Sequence, residues 1–147
     1  MTTSRHRQIA ASLATSLAGG SFSQAFATPA AKAIQLADLP EVQSLTVAVM
    51  PKGRTSKRQA RGIWHDHYTI AVIVQAGCDV TDLDRIDELE LLVEEITDFV
   101  DAAGRMAGAA LNPETSLDPL FQSDWLGGEQ SQFLAMPEFV YRLEREL

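Results

Sequence analysis

The chain has 147 residues, 46% of them apolar and 22% charged, which suits one domain able to bury a core without metal or disulfide support. No run approaches the roughly 18 consecutive apolar residues of a membrane helix, and the single cysteine, Cys78, has no partner for a disulfide or a C-x-x-C metal motif. Twelve cations against twenty acids, a net charge of −8, disfavour a sequence-reading nucleic-acid domain, which presents a basic face to phosphate.

In chain order, Arg5 and Arg7 precede a small-residue stretch, and Ala25-Phe26-Ala27 has the A-x-A form of a signal-peptidase site. Ser12, Thr15 and Ser16 make the stretch too polar for a signal core. Ile9, Leu13 and Leu17 recur at i, i+4, i+8 instead, which predicts an N-terminal helix within 1–20, ended by Gly19 and Gly20. Residues 21–44, with Pro29 and Pro40, read as a connector. A β-hairpin follows over 45–76. Leu45, Val47 and Val49 share one face of its first strand. Trp64, Tyr68, Ile70, Val72 and Val74 share one face of its second, with Asp66 the exception, while His65, His67, Thr69, Ala71, Ile73 and Gln75 take the other. Between the strands, 52–62 is too polar to pack and reads as a long basic loop.

Thr81-Asp82-Leu83-Asp84 resembles a capping box, and Leu83, Ile86, Leu89, Val93, Ile96 and Val100 recur at helical spacing, so a long amphipathic helix is expected over 82–103, stopped by Gly104. Residues 104–132, interrupted by Pro113, Pro119, Gly127 and Gly128, read as irregular, and 133–147 as a C-terminal strand, where Phe139, Tyr141 and Leu143 alternate. The expected fold class is α+β: a small mixed or antiparallel sheet against one long helix, in a single domain over 1–147.

Chemistry-bearing patterns are few. His65 and His67 point the same way from a strand, but two ligands do not make a metal site, and the only other histidine is the distant His6. A small metal-dependent hydrolase built on His65 and His67 is the rival reading from another class. Cys78 beside Asp79 has no cation to stabilise a thiolate. No nucleotide-binding glycine loop and no G-x-S-x-G is present. No catalytic residue, metal ligand or cofactor is therefore assigned.

Charge segregation is the informative feature. Lys52, Arg54, Lys57, Arg58 and Arg61 hold five of the twelve cations with no acid among them, whereas Asp79 to Asp101 holds ten acids and one base, Arg85. The basic stretch reads either as an exposed loop kept soluble by its charge or as a contact arm, touching DNA phosphates non-specifically or the acidic helix of a neighbouring subunit. The acids Asp84, Asp87, Glu88, Glu94, Glu95 and Asp98 form an outer helix face suited to a subunit interface.

The succession of a short helix, FATPAAKAIQLADLP, the strand SLTVAVMPKG, a charged loop, the strand WHDHYTIAVIVQAG, the helix DLDRIDELELLVEEITDFV and a closing FVYRLE resembles the tail-terminator and tail-completion (neck) proteins of long-tailed bacteriophages over roughly 8–145. The resemblance implies a non-enzymatic virion protein. It would form a homo-oligomeric, hexameric ring at the tail-neck junction, assembled in the host cytoplasm. That ring would cap the tail tube protein, join it to a neck or head-closure protein, and let DNA pass with at most non-specific contact and no membrane association. Another head-tail connector or head-closure protein is the alternative within that class.

Overall fold

The computed structural model describes residues 4–26, 30–31, 42–116, 121–127 and 131–146. The first helix, α1, covers Arg5–Ala18. Ser4 caps it, its hydroxyl accepting from the Arg7 amide at 3.2 Å, and Gly19 follows its last turn. Ile9, Leu13 and Leu17 are buried, as the i, i+4, i+8 spacing predicts. Of the connector expected over 21–44, positions 27–29 and 32–41 lie outside the described residues; a two-residue strand β1, Ala30–Ala31, pairs in parallel with Ala48 and Val49.

The hairpin comprises β2, Thr46–Ala60, and β3, Ile63–Gly77, joined by Arg61 and Gly62 alone. The basic segment 52–62 is therefore not a loop. The physical reason lies in β3, whose β-branched and aromatic residues hold an extended conformation along their whole length and offer backbone partners to the polar half of β2. A polar segment can pair this way because its side chains remain in water at a sheet edge, where charged residues are at home. Gly62 at φ 77° supplies the left-handed residue of the tight turn.

The long helix α2 is Leu83–Ala103. Its cap lies one residue beyond the expected Thr81: the Asp82 carboxylate accepts from the Arg85 amide, while the Thr81 hydroxyl is held by Asp79 at 2.8 Å. Gly104, at φ 70°, ends the helix. The stretch expected to be irregular instead holds β4, Arg105–Met106, β5, Ala109–Ser116, and a short helix α3, Ser123–Gly127. The β4–β5 turn is Ala107-Gly108, both at positive φ, a primed turn without the usual Asn or Asp signal. The C-terminal strand is two, β6, Gln132–Ala135, and β7, Glu138–Glu146. Pro137, which has no amide to donate, separates them, and its carbonyl accepts from the Val72 amide at 2.9 Å.

The result is an α+β protein with a mixed sheet in the order β1-β2-β3-β7-β5-β4, β6 continuing the β7 side of β3. All pairings are antiparallel except β1 with β2. Both long helices pack on one face: Ile9, Leu13 and Leu17 of α1 and Leu89, Val93, Ile96 and Val100 of α2 share a core with Val47, Val49, Ile70, Val72, Val74, Phe133, Phe139 and Tyr141. Each fully buried aliphatic side chain contributes about 1.5–3 kcal/mol. The opposite face carries a smaller cluster of Ala48, Met50, Ala71, Ile73 and Leu134, against which Trp125 of α3 and Met136 pack.

Candidate functional site

Beyond Pro51, residues 52–60 of β2, 63–71 of β3 and 138–146 of β7 lie side by side and form an arm, with β5 flanking β7 as far as Arg142. Its register decides where each cation points. Up to Pro51 the odd residues of β2 face the helices. Lys52 is an extra residue in a bulge between the pairs Pro51–Ile70 and Gly53–Thr69, and from there to Arg58 the even residues face that side. Arg54 thus lies beside Tyr68, Ser56 beside Asp66 and Arg58 beside Trp64 on the helix side, while Thr55 and Lys57 lie beside His67 and His65 on the other.

The five cations expected to form one cluster are consequently split. Lys52 forms an ion pair with Glu138 at 2.8 Å. Lys57 stands in a row with His65 and Glu144, the last two 3.5 Å apart. Arg61 sits in the turn. Arg54 and Arg58 are left on the helix side, where β7 adds Arg145 next to Trp64, its guanidinium 5.9 Å from the indole centre.

Asp66 anchors this side. It is fully buried, its carboxylate accepting from the Ser56 hydroxyl at 2.7 Å and from Arg145 Nη2 at 3.3 Å. Arg145 Nε lies 3.0 Å from the second carboxylate oxygen without aligning its N–H on it, so the attraction there is ionic. One residue from each strand of the arm is tied together. Around this pair, Arg5 and His6 from the first turn of α1, with Arg54, Tyr68 and Arg145, line a cleft of about 510 Å³. His6 is engaged, its ring nitrogen 2.9 Å from the Thr69 carbonyl and its ring against Tyr68. Asp66 is neutralised by Arg145, so Arg5 and Arg54 leave the cleft with excess positive charge.

The outer surface of α2 is the counterpart. At 3.6 residues per turn, Leu83, Asp84, Asp87, Leu91, Glu94 and Asp98 fall within an arc of about 100° opposite the buried side. All six are exposed, Leu83 at 68% and Leu91 at 50%. The other two acids expected at an interface act within the chain: Glu88 takes Arg85 at 3.1 Å and the Gln24 amide at 3.4 Å, and Glu95 accepts from the Ser23 amide at 3.1 Å and from its hydroxyl.

Among the described residues no three of His, Cys, Asp and Glu converge as a metal site would require. His65 and His67 share the face opposite the cleft, in rows with Glu144 and Arg142 respectively. The Cys78 thiol is buried, and desolvation together with the nearby Asp82 charge pushes its pKa up, away from thiolate reactivity. No protein-family model and no curated protein matches this chain. What the arrangement offers is recognition by opposite charge: a cationic cleft on one side of a rigid fold and an acidic, leucine-bearing helix on another.

Sequence reasoning missed Arg5, Trp64 and Arg145 as members of the site, because they come together only through strand register and the seating of α1. The visible signal was Asp66, an acid on the apolar side of a strand. Such a position asks for a buried partner.

Proposed function

We propose that this chain is a structural virion protein, a tail terminator that caps the tail tube of a long-tailed phage or phage-derived particle and joins it to the neck as a ring through which DNA passes. The observation that carries this reading is the separation of charge into two surfaces of one fold, cations on the arm and acids on α2, which is what a head-to-tail contact between copies requires to fix its register. A heterologous contact whose rotation closes gives a ring. The order and spacing of elements that resemble the tail-terminator family supply the particle in which such a ring belongs. The tail tube protein and a head-closure protein are the partners on either side.

The test is capping. Purified chain incubated with preassembled tail tubes of the same particle should bind one end only and stop elongation, as seen by negative-stain microscopy. Binding to capsid necks in place of tubes would assign it to head closure, and binding to neither would refute a role at the junction.

A further inference from the structure

Resting on that ring reading, we propose that the cationic cleft is the receptor for the outer stripe of α2 from a second copy of this chain. The cleft, lined by Arg5 and Arg54 around the Asp66–Arg145 pair, opens on the side of the sheet where Trp64 and Arg58 continue the cationic surface toward the tip of the arm. The α2 stripe presents Asp87 and Glu94 between and beyond Leu83 and Leu91, both of them exposed on this otherwise acidic face.

Spacing supports the match. Asp87 and Glu94 are seven helical residues apart, about 10.5 Å at 1.5 Å per residue, and Arg54 and Arg58 are four strand residues apart in unbroken register, about 13 Å at 3.3 Å per residue. Flexible arginine side chains close that difference. The apolar part of the contact falls to Leu91 and the half-buried face of Trp64, next to which arginine is also well placed.

The contact cannot form within one copy. The opposite side of α2 is fixed in the core through Leu89, Leu92, Val93, Ile96 and Val100, so its outer stripe faces away from the sheet that carries the cleft. A nucleic acid fits less well. It leaves Leu91 without a role, and the net charge of −8 repels it overall.

Two charge-reversed variants test this. One is Arg54→Glu with Arg58→Glu, the other Asp87→Arg with Glu94→Arg; none of these four side chains contributes to the core. Sedimentation velocity at low salt should show each variant alone associating at least about 100-fold more weakly than the unaltered chain, the scale of close interfacial charge pairs. An equimolar mixture should return to within about tenfold of the unaltered chain, since every contact in an alternating assembly again joins opposite charges. That recovery cannot come from a misfolded variant, and cooperative melting of each variant establishes folding independently.

Variants that self-associate as tightly as the unaltered chain, or folded variants that fail to recover on mixing, would overturn the proposal while leaving the ring reading intact. So would a cleft variant that loses retention of duplex DNA with its self-association unchanged. An unaltered chain that never associates would instead remove the ring itself, and the docking proposal with it.

Discussion

Asp66 and Arg145 show how a single charged pair can organise an element. Asp66 is sealed inside the arm, whereas Arg145 keeps about 30% of its side chain in solvent, so the two are unequal when separated. Arg145→Ala leaves a buried carboxylate with only Ser56 as a donor and should cost about 3 kcal/mol, the lower end for breaking a buried pair. Asp66→Ala leaves a guanidinium that water can reach and should cost less; urea unfolding of the two variants gives the order, and equal or reversed costs would contradict it. Tyr141 is a different case. Its ring is core, but its hydroxyl is buried without a hydrogen-bond partner. Tyr141→Phe should therefore hold or raise stability by up to about 1 kcal/mol. Burial, reinforced by the Asp101 charge, pushes the Tyr141 pKa well above the ordinary tyrosine value. A folded-state pKa raised in this way confers stability that is fully present below about pH 10 and is lost progressively as pH rises from there toward the raised folded-state value. Cys78 acts in the same direction. The urea midpoint should fall between pH 8 and pH 11, and fall less in Tyr141→Phe; an identical fall in both chains would locate the alkaline sensitivity elsewhere.

At the scale of elements, α2 and the arm answer to different rules. The buried side of α2 is core, so Val93→Asp or Ile96→Asp inserts an unpaired charge at a cost of several kcal/mol, comparable with the whole stability of a domain. A soluble variant with a cooperative melt would mean that this side is not the core. The polar half of β2 is the reverse: residues 52–60 are exposed along their whole length, and neutralising Arg54, Lys57, Arg58 and Arg61 together should move the urea midpoint little, each surface change falling within about 0.5 kcal/mol, while weakening self-association. This contrast also explains what could be read in advance. The apolar periodicities of α1, α2 and β3 were legible because burial imposes them, and Gly19 and Gly104 marked the helix ends. The arm was not legible, because KGRTSKRQARG contains no apolar pattern and is extended only by its pairing with β3. The β4–β5 hairpin was missed for a related reason, since its Ala107-Gly108 turn lacks a strong sequence signature. Which side Arg54 and Arg58 take depends on one extra residue at Lys52, which reverses the facing of the side chains from Gly53 to Arg58.

For the whole molecule, what matters is that the two charged surfaces belong to one fold and cannot satisfy each other within it. A chain built this way should assemble by repeated head-to-tail contacts, sensitive to salt because exposed charge pairs are screened within about 8–10 Å at ordinary ionic strength. Closed assembly and open filaments both follow from such a contact, and closure is what separates a tail-capping ring from a fibre. Native mass spectrometry of the unaltered chain at low ionic strength tests this most directly. A discrete closed species of six copies that dissociates as salt is raised is the expected result; a monomer at every concentration and ionic strength would contradict the account.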